Sequence, residues 1–120
     1  NRVAPVFQNS SGTEIGRICN TFVNFNGQGT VSIRDDLNVT SITDLGTGFY
    51  RVNFTTNMAD VNYTAIVSGD MRSPNGRSTS HDCNDYLVSS MRISCEDVNS
   101  QYGQGRADVK LVTVAIFGNT

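Results

Sequence analysis

Arginine and aromatic side chains lie in or beside two polar segments of the sequence, residues 70–85 and 97–107. Long segments without regular structure are usually functional or disordered. Aromatic rings and bidentate arginines are common where proteins bind sugars or acidic groups. The alternative is that they are ordinary loop side chains. The sequence predicts a ligand-binding surface that comprises Arg72, Arg77, His81, Tyr86, Tyr102 and Arg106.

Two other groups of reactive side chains lack what a catalytic site or a metal site requires. Ser78, His81 and Asp82 have the residue types of a hydrolase triad, but they lie on one short segment, whereas triads are assembled from separate elements. A structural zinc site needs four ligands, and His81 with Cys83 and Cys95 would supply three. We therefore predict no enzyme activity, no metal and no cofactor.

The three cysteines are Cys19, Cys83 and Cys95, and an odd number leaves at least one thiol without an intramolecular partner. Cys83 and Cys95 could bridge. A straight strand over 86–95 would hold its two ends too far apart for a disulfide. We expect free thiols.

Charge and hydropathy exclude two classes of partner. The net charge is −2, charged residues make up 17% of the chain, and Lys110 is the only lysine. A nucleic-acid-binding domain would show a basic patch or stripe, so we predict no nucleic-acid partner. No apolar run approaches the roughly 20 residues that a membrane-spanning helix needs, so no membrane insertion is expected.

The elements that must position these residues are short strands. Apolar stretches recur roughly every 8–12 residues with turn signals between them, a pattern typical of a sandwich or barrel. No helical periodicity is visible. We predict an all-β fold, an antiparallel β-sandwich of about seven strands, with residues 1–18 as a linker or extended lead-in and residues 19–120 as one domain. The predicted strands are 21–26, 30–34, 38–43, 49–55, 62–69, 86–95 and 108–118.

Turn residues predict two hairpins within this series. Asn26-Gly27 supplies residues that favour a tight turn after the first strand. The glycines of 46–48 would join the third and fourth strands. Val39 and Ile42 are three residues apart, which breaks the period of two and predicts a β-bulge. The tips at 27–29 and 46–48 are the next candidates for a binding site.

The closing strand is apolar on both of its faces. Leu111, Ala115 and Phe117 share one face, and the other carries Val112, Val114 and Ile116. A sandwich strand normally has one wet face. Either the strand is central and covered on both sides, as in a barrel with an inserted loop, or one face meets another subunit. We favour the subunit and predict an interface between subunits that includes Val112, Val114 and Ile116.

The segment from Gly16 to Arg34, GRICNTFVNFNGQGTVSIR, resembles a segment common near the C-termini of phage and prophage tail-fibre proteins. The similarity covers roughly residues 16–68 and 108–118, and the closing VAIFG at 114–118 is similar to the end of that family. Residues 70–107 depart from the pattern, because this region is longer and carries two cysteines.

This resemblance implies a homotrimeric fibre, a location in the virion at the tail-fibre tip, and a distal receptor-binding role. It carries no shared catalytic motif. The function we expect is attachment to a host cell-surface receptor, in particular a polysaccharide. The alternatives are a structural module that trimerises and caps the fibre, and a depolymerising domain that cleaves the polysaccharide.

Overall fold

A computed structural model of the chain describes residues 6–72, 78–98 and 105–120, with the backbone alone at Val6. All regular structure in these ranges is β-strand, and every strand pairing among them is antiparallel. The prediction of an all-β, antiparallel fold is therefore confirmed.

The described residues form the following strands: β1 (Val6–Gln8), β2 (Glu14–Arg17), β3 (Thr21–Asn26), β4 (Ser32–Leu37), β5 (Val39–Gly46), β6 (Phe49–Phe54), β7 (Thr64–Asp70), β8 (Thr79–Asn84), β9 (Ser90–Asp97), β10 (Gly105–Arg106) and β11 (Leu111–Phe117). Strands β10, β9, β6 and β5 follow one another in a five-stranded sheet in which β8 also pairs with β9, and we name it the large sheet. The small sheet has four strands in the order β4, β3, β11 and β7. Among the described residues, β1 and β2 pair with each other and with no other strand.

Both predicted hairpins form. Strand β3 pairs with β4, and β5 pairs with β6. The predicted bulge is present, since the β5–β6 register shifts between Val39 and Ser41. Gly46 and Gly48 have φ of 132° and 74°, values that favour glycine. In the first turn the positive φ lies at Gly29 (61°), so the reversal is wider than a two-residue turn at Asn26-Gly27.

Alternate residues of the two sheets meet in one core. The large sheet contributes buried side chains from β6 and β9, and the small sheet contributes buried side chains from β3 and β11. This alternation follows from the two-residue period of a strand. Shared burial of one face from each sheet fits the predicted sandwich. Its fully buried members include Phe25, Tyr50, Val52, Met91, Ile93 and Cys95.

The structure corrects the predicted subunit interface. Val112, Val114 and Ile116 are 0%, 2% and 0% exposed, because they face the core of a single chain. Strand β11 is central, with β3 on one side and β7 on the other. Its opposite face carries Leu111 and Phe117, which are only partly buried. The sequence could not separate the two faces since both are apolar.

Three segments expected to lack regular structure contain strands. In 97–107 it is the two-residue β10, and the strands in the other two segments are longer. Within the lead-in, β1 and β2 form a hairpin whose turn is held by Asn9, which accepts hydrogen bonds from the backbone of Ser11 and Thr13 at 3.0 Å each. Within 70–85, residues 79–84 form β8 along β9. The sequence predicts irregular chain in both places because their polar residues give no apolar alternation.

A buried tyrosine ties the turns of the two sheets together. The Tyr50 hydroxyl lies 2.8 Å from the carbonyl oxygen of Gly27 and 3.0 Å from Oδ1 of Asp108. The same carboxylate oxygen accepts a hydrogen bond from the backbone of Gly48 at 2.9 Å. Burial first, and then the hydrogen bond to Asp108, raise the pKa of Tyr50. This cluster fixes the end of the large sheet at which Phe49 lies.

Candidate functional site

The six predicted ligand-binding residues do not form one site in the described structure. Arg77 and Tyr102 lie outside the described residues. Arg72 is exposed and follows β7 with a positive φ of 53°. The other three lie apart from one another. His81 is on the inner face of the large sheet, Arg106 is on its outer face, and Tyr86 is in the segment between β8 and β9.

His81 belongs to the interior rather than to a binding surface. It pairs with Cys95 in the β8–β9 register, so both side chains point to the inner face of the sheet. Its ring lies against Gly69 of β7, at the edge where the two sheets meet. Nε2 is buried with no hydrogen-bond partner among the described residues. Burial lowers the pKa of His81, which favours the neutral ring.

Tyr86 also has a packing role. Its ring lies 5.0 Å from that of Tyr63, which in turn meets Phe54 edge-on at 5.7 Å. The Tyr63 hydroxyl lies 2.8 Å from the carbonyl oxygen of Leu87. Burial, the largest cause, raises the pKa of Tyr63 to about 12. This aromatic cluster anchors the segment between β8 and β9 and leaves Tyr86 only partly exposed.

Arg106 is the predicted residue that lies on the outer face of the large sheet. It pairs with Glu96 in the β10–β9 register, and its guanidinium lies 3.5 Å from the Glu96 carboxylate. The guanidinium carbon of Arg106 also lies 4.3 Å from the centre of the Phe49 ring. A second arginine, Arg92, lies 5.7 Å from the same ring centre. Phe49 therefore gathers two cations on the outer face of the large sheet.

The strand register shows which other residues share this outer face, which we name the polar face. Phe49 pairs with Ser94, and Arg51 pairs with Arg92, so all four side chains point to the same side. Asn84 of β8 pairs with Arg92 as well. The face is built around Phe49, Arg51, Asn53, Asn84, Arg92 and Arg106.

Hydrogen bonds hold the polar side chains of this face in place. Arg92 donates from Nε to Oδ1 of Asn84 at 2.6 Å, and Nδ2 of Asn84 donates to Oγ of Ser94 at 3.1 Å. Arg51 donates to Oγ of Ser90 at 3.0 Å and pairs with the Asp85 carboxylate. The guanidinium positions are thus fixed by neighbours rather than left to solvent.

A second set of polar groups continues the face across β6 onto β5. Nδ2 of Asn53 donates to Oγ of Ser41 at 3.1 Å and to Oγ1 of Thr43 at 2.9 Å. Ser41 and Thr43 are exposed, whereas Asn53 is partly buried. The polar face therefore offers hydroxyl and amide groups along β5 and β6, in addition to the two guanidiniums near the Phe49 ring.

The outer face of the small sheet is different in character, and we name it the apolar face. It holds an open groove of about 380 Å³ whose floor and walls include Phe22, Asn24, Ile66 and Ala115. Ile66 is 58% exposed. None of these residues was predicted as part of a site.

The groups considered for catalysis and metal binding do not converge. His81 faces the core, whereas its neighbour Asp82 pairs with Ser94 and points to the outer face. The described residues hold no cluster of three or more His, Cys, Asp or Glu that could bind a metal ion.

All three cysteines are free, as expected. The expectation for Cys83 and Cys95 assumed that one straight strand separates them, and that assumption is wrong. The two lie on the neighbouring strands β8 and β9 rather than at the ends of one strand. Burial, the largest cause in each, raises the pKa of both thiols, that of Cys95 to about 12. They are therefore poor nucleophiles at neutral pH.

Comparisons with protein-family models, with curated proteins and with solved structures find no match. The tail-fibre resemblance accordingly stays a prediction. None of the described residues forms a helix that is long and apolar enough to cross a membrane.

Sequence reasoning missed most of the polar face. Arg51 and Asn53 alternate with the apolar residues of β6, and this was the available signal for an outward polar surface. Arg92 gives the same signal between Met91 and Ile93. Their convergence with Arg106 could not be seen, because it depends on β9 pairing with both β6 and β10.

Proposed function

We propose that this domain binds a glycan of a host cell surface through the polar face and acts without catalysis, as the receptor-binding tip of a phage tail fibre. The observation that carries the binding proposal is that arginine, asparagine and hydroxyl side chains on one face of the large sheet are held in place by hydrogen bonds, with two of the arginines beside the Phe49 ring. The fibre and virion context comes from the resemblance of residues 16–68 and 108–118.

The chemistry of the polar face suits a sugar. Sugar hydroxyls both donate and accept hydrogen bonds, and binding sites fix them with a few well-placed polar groups beside an apolar or aromatic surface. Here Asn53 and Asn84 are held by neighbouring hydroxyls, and Phe49 supplies the aromatic surface. Side chains fixed before binding reduce the ordering cost of association.

A binding assay with one blocked face tests this proposal. Ser80 is an exposed residue that pairs with Glu96 and points to the polar face, so Ser80→Trp should obstruct the site without disturbing the core. Ser68→Trp places the same bulk on the apolar face and is the matched control.

We expect labelled parent domain and Ser68→Trp to bind glycans on an array and on host cells, and Ser80→Trp to lose that binding. Masking of the cell-surface glycans should abolish binding. Equal binding by both tryptophan variants would show that the polar face is not the site. Release of reducing sugar ends from a bound polysaccharide would instead indicate a depolymerising enzyme.

The apolar face supports a second candidate function, a structural module that trimerises and caps the fibre. Because Val112, Val114 and Ile116 are used in the core, the surface available for assembly is the one that exposes Leu37, Ile66 and Phe22. Each such apolar side chain fully buried between subunits is worth roughly 1.5–3 kcal/mol.

Light scattering tests the assembly. We expect a homotrimer of three 13.0 kDa chains, and we expect Ile66→Asp to dissociate it without unfolding the chain. A parent domain that stays monomeric at high concentration would remove this second function and would weaken the fibre-tip proposal.

A further inference from the structure

The polar face also carries Asp82, but one of its arginines, Arg92, has no ion-pair partner among the described residues. Arg51 has Asp85 as its ion-pair partner, and Arg106 has Glu96. Among the described residues, no carboxylate lies within 4 Å of the Arg92 guanidinium. Its hydrogen bond runs to the neutral amide of Asn84 instead.

The position of Arg92 beside other arginines should lower the stability of the folded chain, so stability alone does not explain why an arginine lies there. Arg51 and Arg92 are direct cross-strand partners on one face of the sheet. Like charges in this relation destabilise a pair of strands. Arg106 brings a third guanidinium to the same aromatic ring that Arg92 approaches. A bound anion at Arg92 would relieve the repulsion among these cations.

We infer that Arg92 is the recognition point for an oxyanion carried by the sugar, a carboxylate or a phosphate, so that the glycan bound by the polar face is acidic. This inference rests on the proposed function. Arginine binds both kinds of oxyanion through paired N–H donors. Phe49 and Asn84 position the guanidinium, while Asp85 and Glu96 keep the two flanking arginines occupied by their own partners.

Three variants test the charge requirement. Arg92→Gln removes the cation and keeps a polar side chain. Asn84→Asp supplies an internal carboxylate at the atom that Arg92 already contacts, so it should satisfy Arg92 and exclude the ligand. Arg34→Gln removes an arginine of the small sheet that bonds Asn24 and the carbonyl of Lys110, and it is the matched control.

Binding is measured by calorimetry with oligogalacturonate, with the fully methyl-esterified form of the same oligomer, and with glucose 1-phosphate to separate a carboxylate from a phosphate. We expect at least one acidic probe to bind the parent and Arg34→Gln. Arg92→Gln and Asn84→Asp should each weaken that binding by about 10–100-fold, the loss typical of a charged hydrogen bond. Raised salt should weaken it further.

Several results would overturn the inference. If neutral glycans bind the parent, Ser80→Trp abolishes that binding, and Arg92→Gln does not change it, the proposed function stands and the acidic specificity is wrong. Equal affinity for the acidic and esterified oligomers would also show that the acidic specificity is wrong. If no glycan binds at all, the proposed function fails and the inference fails with it. Circular dichroism of each variant confirms that the fold is retained.

Discussion

The two outer faces of this domain differ in what covers them and in what they offer. Among the described residues, the polar face of the large sheet carries three arginines, two of them near the Phe49 ring, with amides and hydroxyls bonded to one another. The apolar face of the small sheet exposes Ile66 beside Phe22 and Ala115 along an open groove. We propose that the polar face binds the ligand and that the apolar face packs against a neighbouring subunit, so that binding and assembly use different surfaces.

The largest expected effect is a loss of stability, and it should differ between the core face of β11 and its outer face. Val114→Asp would bury an unpaired charge in the core of one chain, which should cost at least about 3 kcal/mol and unfold the domain. Thr113→Asp, one residue away on the outer face, should cost about 1 kcal/mol or less. Urea denaturation followed by circular dichroism measures both. Equal losses would contradict the assignment of the two faces.

A smaller effect is expected at the tyrosine that joins the turns. Tyr50→Phe keeps the buried ring and removes the hydroxyl that lies between Gly27 and Asp108. We expect a loss of about 1–3 kcal/mol, because buried acceptors lose a hydrogen bond. Tyr86→Phe, in the partly exposed aromatic cluster, is the comparison and should cost less. Thermal unfolding of the two variants gives the order, and a larger loss for Tyr86→Phe would argue against this role of Tyr50.

His81 should make stability depend on mildly acidic pH. Burial lowers its pKa in the folded chain below the ordinary value of 6.5, so the unfolded chain takes up a proton first as the pH falls. The stabilisation is complete above pH 6.5 and is lost as the pH drops through the folded pKa. The free energy of unfolding, measured from pH 7.5 to 5.5, should fall in the parent and fall less in His81→Gln. Identical slopes would show that burial does not control this titration.

The smallest effect is expected from an ion pair at the rim of the polar face. Asp85→Asn removes the carboxylate partner of Arg51 but leaves its hydrogen bond to Ser90. Because Asp85 is 42% exposed, solvent screens the pair, and the cost should be within about 1 kcal/mol. The same variant should strengthen binding of an acidic oligosaccharide, since a second guanidinium loses its competing anion. Unchanged binding of that oligosaccharide would argue that Arg51 takes no part.

Much of the fold could be predicted from local sequence patterns, whereas the candidate site could not. Strand β3 and both hairpins could be predicted, since the apolar alternation and the turn glycines are local signals. Strand β8 was missed because its residues, TSHDCN, give no apolar period. Its existence depends on pairing with β9, which is a property of the assembled sheet.

The candidate site depends even more on register. Arg106 was predicted, but Arg51 and Arg92 lie far apart in the sequence and meet only as cross-strand partners. The predicted His81 and Tyr86 proved to pack inward, because their polar surroundings in sequence do not show which way a strand or its flank faces. Both faces of β11 are apolar, so the choice of core face needed the neighbouring strands.

The most direct test of the polar face as the binding surface is an NMR titration of the isotope-labelled domain with a glycan that binds it on an array. We predict that backbone amide shifts concentrate on β6, β8 and β9, around Phe49, Asn84 and Arg92, while β7 and β11 stay unchanged. Shifts confined to Ile66, Ser68 and Thr113 in the groove of the small sheet would place the ligand on the apolar face and contradict the proposed binding surface.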